Sequence, residues 1–426
     1  MIHDIRKETY MNLAEKCRNR VLIYDGSKGV MLQLKGLSGG DSAEEWNLTH
    51  PEKVKEVYGS YIAAGADVIQ TNTFCANAPS LQNHGLEDKL YEINYEGARL
   101  ALSCAEGTGV AVAASAGPTG QFFQPAGDMT FDSMVEVFRQ QLRPMKEAGV
   151  SIVNFETFTD LNEMRAAIVA AKELGGLEII SSMTFEGERT MSGNTPSACA
   201  VTCAALGADI VGANCSGGPE SLLEPIHEMG AAVDIPLSVK PNAGLPEMES
   251  GVAVFKQQPE DFARSAAGFI GNGVRLIGGC CGSGPDHIRA LREEIDHMEL
   301  PQGERRTEQM LASAYEAVPV SGIKTVEMNV HTDGILAGMQ SGDYYCLMDA
   351  IPQDAGEADA VILDFGGMEA DFDLWSFTST LCMFLKKPVI VKAGNAEVAE
   401  GFLRYYAGRA GLMADGLKET YGAIKL

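Results

Sequence analysis

The stretch VSIVNFETFTDLNEMRAAIVAAKELGGLEIISSMTF, residues 150–185, contains one complete strand–helix–strand unit. VSIVNFETF and EIISSMTF are short apolar runs with β-branched residues, a pattern that indicates buried strands. The segment between them, DLNEMRAAIVAAKELGG, has apolar residues at helical spacing. A connection of this length between two strands is typical of a crossover helix, so the two strands are predicted to be parallel.

The same unit repeats through the first 281 residues, with another helical segment at PEKVKEVYGSYIAAGA (51–66). Eight units over about 260 residues close most simply into a (β/α)₈ barrel, although a doubly wound open sheet would give the same alternation. The barrel is our prediction. Its eight strands are VLIYDG (21–26), ADVIQTNTF (66–74), VAVAASAG (110–117), VSIVNFETF (150–158), EIISSMTF (178–185), ADIVGANC (208–215), PLSVKPN (236–242) and VRLIGGCC (274–281).

The chain has 426 residues, more than the roughly 250 that a barrel commonly needs. We expect a barrel over residues 1–298, a linker over 299–322 and a small α/β domain over 323–426. The connector LPQGERRTEQMLASAYEAVPVSG is predicted to be polar with a helical middle. The last part offers three strands, KTVEMNV, ADAVILDFGG and KKPVIVKAGN, and two helices, DLWSFTSTLCMFL and AEVAEGFLRYYAGRAG, and contains no recognisable catalytic motif.

Composition narrows the class of protein. Apolar residues make up 45% and charged residues 21%, which is the balance of a soluble globular protein. The formal net charge of −25 repels phosphate backbones, so a nucleic-acid partner is not expected. The first twenty residues lack an apolar signal core, and no stretch approaches the roughly 20 apolar residues that span a bilayer. We therefore expect a cytoplasmic protein without a membrane partner.

Ten cysteines are present, and in a reducing cytosol they are expected to be thiols. Cys215 ends the sixth predicted strand and the pair Cys280-Cys281 ends the eighth. The carboxyl ends of all barrel strands meet at one face, where chemistry occurs in this fold. Three thiolates suit Zn²⁺ with one coordination position left for substrate. The alternative is that these cysteines pack as small apolar residues under a glycine-rich turn.

The seventh strand lies between the two that carry these thiols, and it ends at Asn242. We expect the amide oxygen of Asn242 to be a weak fourth zinc ligand that a thiol substrate displaces. Zinc holds a bound thiol as a thiolate at neutral pH, although a free thiol has a pKa of about 8.5. A thiolate is the nucleophile needed to accept a methyl group.

Eight segments in their order and spacing resemble the homocysteine S-methyltransferase family over roughly residues 20–295: DGSKGVMLQ, NLTHPEKV, GADVIQTNTF, AGPTG, MSGNTP, GANCSGGP, PNAGLP and GGCCGSGPDHI. Within this family the chain is especially similar to the homocysteine-binding module of cobalamin-dependent methionine synthases. The resemblance implies a zinc (β/α)₈ barrel that methylates homocysteine to methionine.

The resemblance also implies roles for individual residues. Cys215, Cys280 and Cys281 match the three zinc thiolates that activate the substrate. Asp25 and Glu156 match carboxylates that hold the substrate ammonium, and the backbone of Gly26 and Ser27 would face the substrate carboxylate. Three further residues are expected to line the pocket: Thr73, Asn214 and Ser192. From the residues alone, Asp25 could instead cap a turn and Glu156 could pair with a neighbouring strand.

The methyl donor is left open by the sequence. The betaine-using branch of the family places tyrosines where this chain has Cys75 and Thr157, so betaine is disfavoured. Similarity to the cobalamin branch points to methylcobalamin or another methyl corrinoid. None of the seven histidines has Asp two residues before it, so the D-x-H-x-x-G signature of cobalamin binding does not occur and the corrinoid is expected on a separate protein. S-methylmethionine is the main alternative.

Two other hypotheses stay open. The barrel could be a non-catalytic zinc- or thiol-binding component of a methyl-transfer complex, or its acceptor could be another small thiol. The end of the chain, KKPVIVKAGNAEVAEGFLRYYAGRAGLMA (386–414), faintly resembles pterin-binding methyltransferase barrels, but about 100 residues are too few for a second barrel. This domain could dock a partner protein or form a homo-oligomer.

Overall fold

The computed structural model describes residues 12–245, 247–249, 252–298, 308–413 and 419–426. Eight parallel strands form one sheet, and a bridge between Tyr24 and Val68 joins its two ends. The prediction of a (β/α)₈ barrel is therefore confirmed. The strands are β1 (Leu22–Ile23), β2 (Val68–Gln70), β3 (Ala111–Ala116), β4 (Ile152–Phe158), β5 (Glu178–Met183), β6 (Ile210–Cys215) and β7 (Leu237–Pro241), then a short antiparallel hairpin, β8 (Glu247–Glu249) and β9 (Val252–Val254), and finally β10 (Val274–Ile277). Around the barrel the eight parallel strands pair in the order β1-β10-β7-β6-β5-β4-β3-β2.

Helices alternate with these strands, and local capping sets their ends. In the unit at residues 150–185, the Asp160 carboxylate accepts the backbone N–H groups of Asn162 and Glu163, and Gly175 ends the helix with a φ of 68°. The helices of this part are α1 (Leu13–Asn19), α2 (Lys28–Leu34), α3 (Trp46–Thr49), α4 (Pro51–Ala63), α5 (Ala78–Gln82), α6 (Leu90–Ala105), α7 (Phe131–Glu147), α8 (Leu161–Leu174), α9 (Pro196–Ala205), α10 (Glu220–Ala232), α11 (Pro259–Arg264), α12 (Ala266–Gly271) and α13 (Pro285–Ile295), with a 3₁₀ turn at Glu87–Lys89.

The amino-terminal end of the barrel is closed by apolar packing. Side chains that point into the barrel form one cluster with Leu13 and Cys17 of α1. The cluster contains Tyr24, which follows β1, and seven strand residues: Leu22, Val68, Ala113, Ile152, Ile180, Ile210 and Leu276. The Glu178 carboxylate accepts the N–H groups of Leu13 at 2.8 Å and Ala14 at 2.6 Å at the start of α1. The opposite end, where the strands finish, is the one that carries polar side chains.

The helical middle predicted for the connector is wrong over its described residues. Residues 308–322 contain an antiparallel hairpin of β11 (Met310–Ala312) and β12 (Ala317–Pro319). The hydroxyl of Ser313 accepts the N–H groups of Tyr315 and Glu316 and so forms the turn. Ala312 also exchanges backbone hydrogen bonds of 2.9 Å with Arg409. Residues 299–307 of the predicted linker lie outside the described residues.

The C-terminal part is an α/β unit with its own core. Five parallel strands pair in chain order: β13 (Thr325–Asn329), β14 (Ala360–Gly366), β15 (Val389–Ala393), β16 (Gly411–Leu412) and β17 (Ile424–Lys425). The helices are α14 (Asp333–Ser341), α15 (Cys346–Ala350), α16 (Leu374–Phe384) and α17 (Ala396–Tyr405), with a 3₁₀ turn at Ala355–Glu357. The three strands and two helices predicted here are present, whereas the division at 298 and 322 stays a prediction. In the described ranges, no helix combines the length and the apolar character needed to cross a membrane.

The C-terminal unit contacts the barrel through α17. The guanidinium of the fully buried Arg165, on α8, donates to the carbonyl oxygens of Leu403 at 3.2 Å and Arg404 at 2.9 Å. Arg404 in turn forms ion pairs with Asp132 at 2.7 Å and Glu173 at 3.1 Å. A cation at the carboxyl end of a helix is favourable, because the helix dipole places partial negative charge there.

Candidate functional site

Three cysteines meet at the carboxyl end of the barrel. Cys215 is the last residue of β6, and Cys280 and Cys281 follow β10. Each of the three sulfur atoms lies within 4.8 Å of the other two, and all three residues are partly buried. Among the described residues, they are the only group of three or more potential His, Cys, Asp or Glu ligands this close together. The structure thus brings together thiols that are 65 positions apart in the sequence.

The geometry and charge of this cluster fit a zinc ion. Tetrahedral zinc with Zn–S bonds of about 2.3 Å needs sulfur atoms about 3.8 Å apart, within the spacing found here. Hydrogen bonds from the thiols of Cys280 and Cys281 lower the pKa of Cys215 far below its usual value, and the Cys215 thiolate raises the pKa of the other two. Three thiolates at this distance need a cation between them, because their mutual repulsion is otherwise too large.

Glycines allow the chain to bring the cysteine pair to this point. A Cβ on Gly278 would lie 2.4 Å from the Cβ of Tyr24, and Gly282, with a φ of 79°, is approached closely by the Phe255 side chain. On the other side, Cys215 and Ser216 adopt φ values of 60° and 64°, which are rare for non-glycine residues. Strained backbone of this kind is found mostly at active sites and ligand-binding positions, where the surrounding structure fixes the orientation of a side chain.

Asn214 connects the cysteines to β4. Its amide nitrogen donates to Thr157 Oγ1 at 2.8 Å and lies 3.8 Å from the sulfur of Cys280, while its amide oxygen accepts the Thr157 N–H at 2.8 Å. Thr157 also has a left-handed backbone, with a φ of 68°. The contacts assign Asn214 to holding the strained Thr157 next to the thiols, and its predicted contact with substrate stays a prediction.

Asn242 lies beside the three sulfurs but uses its amide oxygen elsewhere. That oxygen accepts the backbone N–H of Cys281 at 3.1 Å, and the amide nitrogen donates to the carbonyl of Ser216 at 3.2 Å. A hydrogen bond from Asn242 also contributes to the low pKa of Cys215. These contacts favour a role in positioning the two cysteine loops, and the role as fourth zinc ligand stays a prediction.

Asp25 is fully buried just beyond β1. Its Oδ2 accepts the N–H of Gln70 at 2.8 Å and lies 3.7 Å from the Lys28 ammonium, whereas its Oδ1 is buried without a hydrogen-bond partner among the described residues. Burial raises the pKa of Asp25, against the opposing effects of Lys28, Lys240 and the Gln70 N–H. A buried carboxylate oxygen in this state is a favourable site for an incoming cation.

The two residues after Asp25 are tightly held. A Cβ on Gly26 would lie 2.6 Å from the carbonyl oxygen of Ser283, so only glycine fits. The N–H of Ser27 donates to the same carbonyl at 2.9 Å, and the Ser27 hydroxyl caps α2 by accepting the N–H of Val30 at 3.3 Å. The predicted contact of these two residues with a substrate carboxylate stays a prediction.

Glu156, on β4, is surrounded by donors from the chain itself. Its Oε1 accepts from Gln70 at 2.7 Å and from Ser115 at 2.6 Å, and its Oε2 forms an ion pair of 2.8 Å with Lys240. Burial alone would raise the pKa of Glu156, but Lys240 together with Lys28 lowers it below its ordinary value. The salt bridge expected from the sequence as an alternative was to a neighbouring strand, whereas Lys240 lies on β7, which does not pair with β4 in the sheet.

Sequence reasoning missed four of these polar residues: Lys28, Gln70, Ser115 and Lys240. Gln70 directly follows the apolar pair Val68-Ile69 and Lys240 directly follows Val239, and a polar residue next to buried apolar strand residues is the one signal that could have pointed to them. The hydroxyl of Thr73 donates to the Ser115 carbonyl at 2.7 Å and contacts Met145 of the helix layer, and its predicted place in the pocket stays a prediction. Ser192 borders a separate cavity of about 180 Å³ next to Tyr315 and Cys382.

Comparison with known proteins gives the family. A sequence profile described as homocysteine S-methyltransferase matches residues 22–295. The methionine synthases of Mycobacterium tuberculosis and Mycobacterium leprae are 27% and 28% identical, over 94% and 93% of this chain. Both matches cover 36% of the relative, so the chain spans about a third of the length of these proteins.

Solved structures show the same fold. The homocysteine methyltransferase MmuM of Escherichia coli, in a metallated form, superposes with a TM-score of 0.56 and 22% identity, over 64% of this chain and 96% of that protein. Its apo form gives a TM-score of 0.53 and 21% identity over 65% of this chain and 96% of MmuM. Because the profile match covers more than half of the residues and includes all three clustered cysteines, the chain belongs to the homocysteine S-methyltransferase family.

Proposed function

We propose that this protein transfers a methyl group to the thiol of homocysteine, giving methionine, with zinc held by Cys215, Cys280 and Cys281. The observation that carries the proposal is the three-sulfur cluster at the barrel mouth, in a chain of this family. Hydrolytic zinc sites favour His and carboxylate ligands, whereas three thiolates leave a fourth thiolate electron-rich. The site is therefore suited to alkylation of sulfur.

Each part of the site has a distinct task in this proposal. When bound, zinc keeps the acceptor sulfur as a thiolate at neutral pH. Asp25 offers the acceptor's ammonium group a buried oxygen that has no hydrogen-bond partner in the described part of the chain. Asn214 and Asn242 hold the loops that carry the cysteines. Together these residues place the sulfur for in-line attack, and such positioning supplies a large part of a catalysed rate.

We propose a methyl corrinoid on a separate protein as the donor. Three large apolar side chains stand exposed on loops at the carboxyl face: Phe122 after β3 at 70%, Met191 after β5 at 73% and Leu245 after β7 at 71%. All three loops follow barrel strands at the end that carries the cysteines, where a protein that delivers the methyl group would have to bind. The name shared by the two mycobacterial relatives, methionine synthase, supports the same acceptor. S-methylmethionine as donor and a non-catalytic binding role are the alternatives.

Metal analysis tests the zinc centre. Purified Cys215→Ala protein is expected to lose most of its zinc and its methyl transfer to homocysteine. Cys104→Ala is the matched control, because Cys104 is a partly buried cysteine on α6 that is not a member of the three-sulfur cluster, and its thiol makes only a weak hydrogen bond of 3.9 Å to the Lys55 carbonyl. Full zinc content in Cys215→Ala, or equal loss in both variants, would contradict the proposed centre.

A donor screen tests the reaction. Zinc-loaded protein is incubated with homocysteine and either methylcobalamin or S-methylmethionine, and methionine is quantified. We expect methionine from methylcobalamin. Methionine from S-methylmethionine alone would replace the proposed donor, and homocysteine binding without turnover on either donor would favour the non-catalytic role.

A further inference from the structure

Lys240 has an ammonium group that is buried inside the barrel mouth. The residue is 4% exposed and lies on β7, paired in register with Asn214 of β6. Its Nζ donates to Glu156 at 2.8 Å and to the side-chain oxygen of Gln70, and it lies 5.2 Å from the centre of the Tyr24 ring. These contacts satisfy the ammonium without any substrate.

Glu156 is equally well satisfied by the chain. Lys240 occupies one of its oxygens, and Gln70 and Ser115 both donate to the other. A substrate ammonium that bound Glu156 would have to compete with a lysine that is already buried and paired. Removing one partner from a buried ion pair is strongly unfavourable, because it leaves the other charge uncompensated.

Asp25 presents the opposite situation. One of its oxygens accepts from the Gln70 backbone, but the other is buried and has no partner within the described residues. A carboxylate oxygen without a partner keeps its capacity to accept a hydrogen bond, such as one from the ammonium group of a ligand. Gln70 contacts both carboxylates, since its backbone reaches Asp25 and its side chain reaches Glu156.

We propose that Lys240 is a specificity-determining positioning residue, because it holds Glu156 in an internal ion pair and thereby leaves Asp25 as the carboxylate that binds the acceptor's amino group. This inference rests on the proposed function and deepens it. Glu156 is then an internal partner of Lys240, Gln70 and Ser115, and it does not contact the acceptor. Lys28 and Lys240 balance the charges of Asp25 and Glu156, and these four side chains therefore suit the paired ammonium and carboxylate of an amino acid.

The test compares two thiols that differ only in the amino group. Homocysteine and 4-mercaptobutanoate share the same thiol and carboxylate, so the ratio of their Kd values measures recognition of the ammonium. The ratio is measured calorimetrically on the zinc-loaded full chain, without a methyl donor. In the wild type we expect homocysteine to bind at least tenfold more tightly, as one charge-assisted hydrogen bond provides.

Three variants separate the two carboxylates. Asp25→Asn is expected to reduce the ratio about tenfold or more. The matched double variant Glu156→Gln with Lys240→Met removes a carboxylate together with its cation, and we expect its ratio to stay within threefold of wild type. Lys240→Met alone frees Glu156 for the ammonium, so we expect its ratio to rise at least threefold.

The outcomes distinguish this inference from the proposed function. The inference is overturned if the Kd ratio falls as far in the double variant as in Asp25→Asn, or if Asp25→Asn keeps the wild-type ratio. Either result leaves the proposed function standing. If the double variant does not fold, as judged by circular dichroism and zinc content, an unchanged or lower ratio in Lys240→Met would overturn it. A zinc-loaded wild type that binds neither thiol would refute the proposed function and this inference with it.

Discussion

Asn214 maintains the strained backbone beside the cysteines, and its removal has a calculable effect. Asn214→Ala deletes two hydrogen bonds of 2.8 Å to Thr157. Each contributes about 1 kcal/mol, and an unsatisfied N–H at Thr157 costs about 1–3 kcal/mol more. The left-handed φ of 68° at Thr157 costs about 1 kcal/mol or more, and only its surroundings maintain it. We therefore expect a loss of about 2–4 kcal/mol in the free energy of unfolding.

A double-mutant cycle isolates the strain. Glycine adopts a φ of 68° freely, and Thr157→Gly also removes the hydroxyl that Asn214 contacts. We expect the cost of Asn214→Ala to be at least about 1 kcal/mol smaller in the Thr157→Gly background. The measurement is urea unfolding of the zinc-loaded protein, followed by circular dichroism.

The control is a buried asparagine that has no contact with Thr157. Asn94 donates from its side chain to the carbonyls of Ala76 and Leu90, each at 2.8 Å. Asn94→Ala should have the same cost with and without Thr157→Gly. The reasoning is refuted if Asn214→Ala costs less than about 0.5 kcal/mol, or if its cost is the same in both backgrounds.

Two further predictions concern stability. Burial raises the pKa of Glu163 to about 7, so the stability that its protonated form contributes is complete below the ordinary pKa of 4.5 and is lost as the pH rises through 7. Glu163→Gln should therefore be up to about 3 kcal/mol more stable than wild type at pH 8. Urea midpoints that fall equally with pH in both proteins would contradict this prediction. Arg165→Met should weaken attachment of α17 to the barrel by about 3 kcal/mol, because two helix-end carbonyls lose a buried cation, and unchanged amide hydrogen exchange in α17 would disprove it.

The fold and the cysteine cluster could be predicted because they follow from local pattern plus one geometric rule. Eight apolar runs with helical connections indicated a barrel, and a barrel brings the ends of all its strands to one face. Cys215 and the Cys280-Cys281 pair therefore lie at the same end of the barrel with only β7 between their strands. The connector was mispredicted because Ala312 pairs with Arg409, a partner that no local pattern in residues 300–322 contains.

The amino-acid sequence by itself determined the periodicity, the family motifs and the three sulfurs, all of which depend on residue type and spacing. Only the tertiary structure decided which charges pair inside the mouth. Lys240 reaches Glu156 across 84 positions, and the same closure leaves one oxygen of Asp25 without a partner among the described residues. The physical reason is that a buried ion pair forms only between side chains that point inward at the same level of the barrel, in a place from which water is excluded. Both conditions arise only when the barrel closes.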